Sequence, residues 1–182
     1  MRIAVLGWGS LVWDPRNLGV NDGWHNNGPS LPIEFARKSQ DGRLTLVIFP
    51  GTVEVHTLWA KSSYQNVAEA RENLKTREGT SLGNIGYAIV ATREGHSNFD
   101  KSIPVTSEIL KWAEFIGLDA AVWTDLESNC RNFSVPNAIA YFRGLTDSTL
   151  GKAREYVQRA PTQIETLVRI AARQQLDWKN AD

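Results

Sequence analysis

The chain has 182 residues, 42% hydrophobic and 22% charged, with 20 Lys plus Arg set against 20 Asp plus Glu. That is the make-up of one soluble domain with a sizeable core, and a net charge of zero argues against binding driven by neutralising nucleic-acid phosphates. No apolar run reaches membrane-span length, apolar structure begins at once with no signal peptide before it, and one cysteine, Cys130, excludes an internal disulfide, so the expectation is a cytoplasmic protein with no membrane partner.

The first predicted element is a short buried strand from Met1 to Trp8, broken by Gly7-Trp8-Gly9-Ser10. Glycine permits tight turns and close approach, and successive N–H groups in such a turn form an anion-binding nest to which Ser10 adds a hydroxyl. Asn17 to Pro32 is rich in Gly, Asn, Asp and Pro without periodicity and reads as a long loop, a length often found in lids and binding segments. Ile33–Lys38 and Arg43–Phe49 read as paired strands around an Asp41-Gly42 turn, and Val53–Ala60 alternates as one more strand. Asn66 with Glu69 forms a capping box for a helix whose apolar face is Val67, Ala70 and Leu74, ending at Arg77-Glu78-Gly79. Ile85–Ala91 reads as a strand. Ile109, Trp112, Ala113 and Ile116 stripe a helix ended by Gly117, and Leu118–Trp123 reads as a buried strand leading into Thr124-Asp125.

Three helices follow. Ser134–Phe142 is stopped by Gly144. Asp147 caps a second, with Leu150, Ala153 and Val157 on one side, broken by Pro161. Thr162-Gln163-Ile164-Glu165 is a capping box for the last, carrying Ile164, Leu167, Val168, Ala171 and Gln175. The residues after Trp178 are polar and predicted to fray. Seven Trp is a high number, and their N–H groups need partners, so several are expected at a cleft or core edge. The whole is an α+β architecture in one domain, 1–182: a mixed, twisted or partly closed sheet with packed helices over 1–125 and a helical extension over 126–182.

Gly7-Trp8-Gly9-Ser10-Leu11, directly after a first strand, resembles the glycine loop of the gamma-glutamylcyclotransferase-like superfamily. Its ChaC-type branch carries Gly-Tyr-Gly-Ser-Leu-Ile-Trp, and Gly7 to Trp13 is similar apart from Trp8 for Tyr and Val12 for Ile. Leu74-Lys75-Thr76-Arg77-Glu78 resembles the Leu-x-x-Arg-Glu that ends the helix after the strand carrying Trp59. The resemblance covers roughly residues 1 to 92 and implies a fold of the same type. It implies Glu78 as catalytic acid/base, and Gly7, Trp8, Gly9, Ser10 and Leu11 as a loop holding the substrate carboxylate or an oxyanion. The implied partner is a small γ-glutamyl amide, and the implied chemistry needs no cofactor, metal or thiol.

In that reaction the substrate's α-amine attacks its own γ-carbonyl, giving 5-oxoproline and a free amine. The tethered nucleophile removes most of the cost of encounter, a geometric gain of roughly 7–11 kcal/mol. One carboxylate suffices to take a proton from the amine and pass it to the leaving nitrogen. Glu78 has a plainer reading as a surface charge at a helix C-terminus, where an anion is disfavoured by about 0.3–1 kcal/mol. Trp8 departs from the family pattern because its indole offers an N–H where the phenol offers a hydroxyl. The alternative function is a non-catalytic member of the same fold that binds a small ligand or a protein. Trp13 is expected to pack.

Other constellations are weaker. Asp125 reads as a turn cap or as a partner for a substrate amine. His25, His56, His96 and Cys130 have no metal-ligand spacing. Ser10 lacks a Gly-x-Ser-x-Gly elbow, and Gly7-x-Gly9 lacks the third glycine of a dinucleotide site. The leaving amine is left open between glutathione, γ-glutamyl amino acids and γ-glutamyl polyamines, and so is the oligomeric state.

Overall fold

The computed structural model describes residues 1–180. In chain order its elements are β1 (Ile3–Gly7), β2 (Val20–His25), β3 (Ser30–Lys38), β4 (Leu44–Ile48), β5 (Glu54–His56), β6 (Leu58–Ser62) and α1 (Val67–Glu78). They continue with β7 (Ile85–Ile89), β8 (Glu94–His96), α2 (Val105–Phe115), β9 (Ala120–Thr124), α3 (Val135–Arg143), α4 (Asp147–Arg159) and α5 (Leu167–Leu176). Six strands form a mixed sheet in the order β2-β6-β1-β9-β7-β8, and three form an antiparallel sheet in the order β4-β3-β5. The fold is α+β, as the sequence implies. The expected partly closed sheet is instead divided in two, and no closed barrel forms among the described residues.

Alternation along β1 decides the layering, because successive side chains of a strand point to opposite faces. Ile3 and Val5 pack with Val67, Ala70 and Leu74, so α1 covers that face of the larger sheet. Ala4 and Leu6 point the other way, into a core shared with the smaller sheet (Ile33, Phe35, Ile48), with α2 (Ile109, Ala113) and with the C-terminal helices (Phe142, Val157, Val168). Each fully buried aliphatic or aromatic side chain of this kind contributes roughly 1.5–3 kcal/mol relative to exposure. Trp8, Trp123 and Trp178 are buried, and Trp13, Trp24, Trp59 and Trp112 pack at the edge of the same core.

The helix that carries Glu78 forms for the reasons its sequence gives. Asn66 Oδ1 accepts from the Glu69 amide at 2.9 Å, satisfying one of the free N–H groups of the first turn. Gly79 ends the helix at φ 62°, ψ 40° and returns its amide to the Lys75 and Thr76 carbonyls. A left-handed cap of this kind favours glycine. The β3–β4 hairpin also forms around Asp41-Gly42, with Gly42 at φ 84°, and Ser134 caps α3 through the Asn137 amide.

Several expectations are corrected. The segment 17–32 is no simple loop: β2 pairs antiparallel with β6 across a register shift, and Ser30–Pro32 begin β3 opposite β5. Asp22 at φ 65° and Gly23 at φ 74° turn the backbone inside β2, which erases the alternation that marks a strand. Val53–Ala60 is two strands. The chain changes sheets at Thr57, whose amide and hydroxyl both bond the Pro29 carbonyl (3.1 and 2.9 Å) and whose carbonyl accepts from Gly28 (3.0 Å). The β8 strand goes unpredicted because it is three exposed residues long. The last helix begins at Leu167, not Thr162, with Thr166 as its cap. Gln163 instead reaches the Asn26, His56 and Thr57 carbonyls, and Glu165 is taken by Arg173. Thr146, not Asp147, is the N-cap residue of α4. Of the predicted frayed tail, residues 181 and 182 lie outside the described residues.

Candidate functional site

The glycine loop and the end of α1 meet. Trp8, Gly9, Ser10 and Leu11 line a cavity of about 440 Å³ together with Arg77 and Glu78. β1 delivers the loop and α1 delivers the Arg-Glu pair, and both are fixed by the core on the α1 face of the larger sheet. The β3–β4 hairpin closes one side with Arg37, Asp41 and Arg43, and α4 supplies Tyr156.

Glu78 is the last residue of α1 and its side chain is 17% exposed. Burial pushes its carboxyl above the ordinary glutamate value of 4.5, while the Arg77 and then the Arg16 guanidinium pull it back down. Arg77 is held in place by several bonds. Its Nη1 donates to Glu78 Oε1 at 3.0 Å, and its Nη2 donates to the Asp14 carbonyl at 2.6 Å and to Ser10 Oγ at 3.4 Å. The guanidinium therefore bridges the glycine loop to Glu78. Arg77 Nε and Thr124 Oγ1 are both buried without a protein partner, and both belong to residues lining this cavity. Unsatisfied buried polar atoms cost about 1–3 kcal/mol each, so each calls for an explanation.

The loop itself is turned by bonds from the Val12 amide to the Gly9 carbonyl (3.0 Å) and from the Asp14 amide to the Ser10 carbonyl (2.8 Å). The amides of Gly9 and Leu11 have no backbone acceptor among the described residues. Gly9 is required by space: an added Cβ would stand 2.5 Å from the Tyr156 hydroxyl. Gly7 has a different job. It does not line the cavity, and its missing side chain makes room for the Trp24 ring, which would lie 2.5 Å from an added Cβ. Trp8 donates its indole N–H to the Leu46 carbonyl at 3.3 Å, so that donor is spent on the hairpin. Trp13 stands edge-on to Tyr156 with ring centroids 5.2 Å apart.

Tyr156 is the functional candidate that the sequence did not mark. It is buried against Phe35 and Trp13. Burial pushes its phenol up to about 12, and the Glu78 charge adds to the rise against the Leu46 and Ser10 amides and Arg43. It is therefore a neutral hydroxyl in the cavity wall, supplied by α4. The only trace in the sequence is its place beside Ala153 and Val157 on the buried side of α4, which marks packing and not chemistry. Arg37 and Arg43 are equally silent, since a hairpin must fold before they converge on the loop.

The remaining candidates lie elsewhere. Asp125 is no cavity residue, although Thr124 and Leu126 on either side of it are. Its carboxylate accepts from Ser97 Oγ (2.9 Å), the Asn98 amide (2.5 Å) and Trp123 Nε1 (2.9 Å). It ties the segment after β8 to the end of β9. Among the described residues no cluster of three or more His, Cys, Asp and Glu is arranged to hold a metal ion. No helix of the described residues is long and apolar enough to cross a membrane. Comparison of the chain with models of known families, with curated proteins and with solved structures finds no match.

Proposed function

We propose that this chain is a gamma-glutamylcyclotransferase-like enzyme, with the fold of that superfamily, which closes a γ-glutamyl amide to 5-oxoproline and releases an amine. The observation that carries this reading is the meeting of the glycine loop and a desolvated Glu78 in one cavity. The two motifs lie 67 residues apart, from Ser10 to Arg77, and both contribute to one cavity wall.

The chemistry follows from the groups present. Glu78 takes a proton from the substrate's α-amine, freeing the lone pair that attacks the γ-carbonyl. The oxyanion that forms is met by amides of the loop, where Gly9 and Leu11 retain unused N–H groups. The C–N bond then breaks and Glu78 returns the proton to the leaving nitrogen. Over the whole reaction two protons leave the attacking ammonium and two reach the released amine, so no net acid or base is consumed. A raised carboxyl value brings the base closer to its amine partner in proton affinity, which favours transfer in both directions. The Tyr156 hydroxyl supplies a neutral donor in the cavity where Trp8 supplies none, which weighs against a merely binding member of the fold. Such an enzyme would work in the cytoplasm, on small γ-glutamyl compounds and without a cofactor.

The test is release of 5-oxoproline, followed by mass spectrometry, from γ-glutamyl amino acids, glutathione and γ-glutamyl polyamines. Release from at least one of them supports the reading. Folded protein that binds a compound and releases nothing assigns the cavity to binding alone.

A further inference from the structure

Tyr156 lines the cavity from α4 and belongs to none of the sequence motifs. Only 6% of the residue is exposed. Trp13 and Phe35 stand edge-on to its ring, with centroids 5.2 and 6.1 Å away, and the Arg43 guanidinium lies over the ring at 5.2 Å. A ring packed in this way holds its hydroxyl in one place. That place is against the glycine loop, where the hydroxyl would stand 2.5 Å from a Cβ added to Gly9.

The phenol oxygen has donors for neighbours. β4 is an edge strand of the smaller sheet. There the Leu46 carbonyl accepts from the Trp8 indole at 3.3 Å, while the Leu46 and Ser10 amides face the Tyr156 oxygen. An amide N–H cannot accept, so the phenolic proton has no use for either of them. Among the described residues no protein acceptor takes that proton, whereas Tyr141 of α3 gives its own to the Gly42 carbonyl at 2.6 Å. Tyr156 is thus a buried hydroxyl in a cavity wall with its proton left for a guest. Amides aimed at a phenol oxygen polarise its O–H and strengthen it as a donor. The charges that act on it are Glu78 at the end of α1 and Arg43 of the hairpin, and burial keeps it neutral, pushed up to about 12.

We propose that Tyr156 is a catalytic residue of the cyclisation, donating its O–H to the substrate's γ-carbonyl oxygen and holding the oxyanion that forms there. This rests on the cavity being the γ-glutamyl site. When the α-amine attacks, the new C–N bond forms and the carbonyl π electrons move onto oxygen. The Gly9 amide, which has no backbone acceptor among the described residues, and the Tyr156 O–H beside it meet that charge together. When the oxyanion collapses, the carbonyl re-forms, the bond to the leaving nitrogen breaks and Glu78 delivers the proton to that nitrogen. The phenol keeps its own proton throughout, so it stabilises the charge without entering the proton count. A fixed donor of this kind acts where charge develops in the transition state. It also comes from outside residues 1 to 92, the segment that carries the family resemblance, so the C-terminal helices complete the reacting centre of this chain.

The test compares 5-oxoproline release from γ-glutamylglycine by the unaltered protein and by Tyr156→Phe, with kcat and KM determined separately and folding checked by circular dichroism. Loss of one oxyanion donor should lower kcat about 10²-fold. kcat/KM should fall with it and KM should hardly move, the mark of an interaction made in the transition state. An unchanged kcat overturns the role. So does a raised KM with kcat kept, which is what a loosened glycine loop would give. Phenylalanine also leaves the Ser10 and Leu46 amides without the phenol oxygen, so a second protein has Tyr156 replaced by 3,5-difluorotyrosine, which keeps that oxygen and makes the phenol more acidic. A phenolate cannot donate, so the basic limb of kcat, set near pH 12 by Tyr156 in the unaltered protein, should move down the pH scale. A limb that stays where it was overturns the role. No release by the unaltered protein removes the cyclisation and this role with it. Release by the unaltered protein and by Tyr156→Phe at the same kcat keeps the cyclisation and removes only the part of Tyr156.

Discussion

Glu78 and Glu34 are both glutamates pushed up by burial, yet they sit in opposite kinds of surroundings. Glu34, on β3, is fully enclosed. It accepts from the Phe35 amide (2.8 Å), the Val168 amide (3.3 Å) and Thr52 Oγ1 (3.4 Å), and the Thr166 side chain adds another bond. It is a cap for the first turn of α5, a carboxylate surrounded by donors and closed to everything else. Glu78 has one ion-pair partner and a cavity in front of it. The difference teaches how to read buried carboxylates. Full satisfaction by fixed donors signals a structural lock, whereas a desolvated group with spare acceptor capacity facing open volume signals chemistry. Asp125, with three donors and no cavity face, falls on the side of Glu34.

The sharpest way to break this comparison is to change each carboxylate to its amide. Glu78→Gln should lower turnover by about 10²–10⁴, the range for loss of a general base, and leave the fold intact. The stability effect has a definite sign. A carboxyl raised above 4.5 in the folded chain binds a proton that the unfolded chain has already released. Its contribution therefore falls as pH rises from 4.5 through the folded value. Removing the charge should leave the neutral-pH Tm unchanged or higher and flatten that dependence. Glu34→Gln should instead cost stability and spare activity. In either orientation its amide NH₂ would face a donor, the Phe35 amide on the Oε1 side or Thr52 and the Val168 amide on the Oε2 side, costing about 1–3 kcal/mol of stability by chemical denaturation, with kcat/KM retained in the molecules that remain folded.

Gly9→Ala probes the loop's close approach to Tyr156. The new methyl must displace a hydroxyl whose ring is pinned by Phe35 and Trp13, an overpacking cost of about 1–3 kcal/mol. Loss of activity should accompany the loss of stability, and an unchanged kcat/KM would mean that the loop holds nothing in the reaction. A pH profile comes next. The acidic limb of kcat/KM should lie above pH 4.5 and move further up in Arg77→Met, because that cation holds Glu78 down. The smallest effect belongs to Ser10→Ala. The Ser10 hydroxyl meets Arg77 at only 3.4 Å, so less than about tenfold of activity should be lost, measured as kcat/KM.

The parts of the site that were legible in the sequence are those specified by short-range rules. The β1 run, the Asn66 cap, the Gly79 stop and the Asp41-Gly42 hairpin each follow from a few neighbouring residues. They place Glu78 at a helix end and Gly9 and Ser10 at a strand exit. What was not legible depends on partners far along the chain. β2 exists because β6 pairs with it. The break at Thr57 exists because Pro29 and Gly28 hold it. The capping box at Thr162 loses its glutamate to Arg173 and its glutamine to three distant carbonyls. Tyr156, Arg37 and Arg43 reach the cavity only after the helices and the hairpin dock on the larger sheet. The wall built by α4 and the β3–β4 hairpin is therefore the part of the site that local reasoning misses.

The most direct test of the account is 5-oxoproline release from γ-glutamylglycine by the unaltered protein and by Glu78→Gln, with circular dichroism and Tm recorded on the same samples. The account predicts release by the former, release reduced by at least about a hundredfold in the latter, and a Tm that does not fall. Release by Glu78→Gln at an unchanged rate would contradict it, because the carboxylate facing the cavity would then have no part in the reaction.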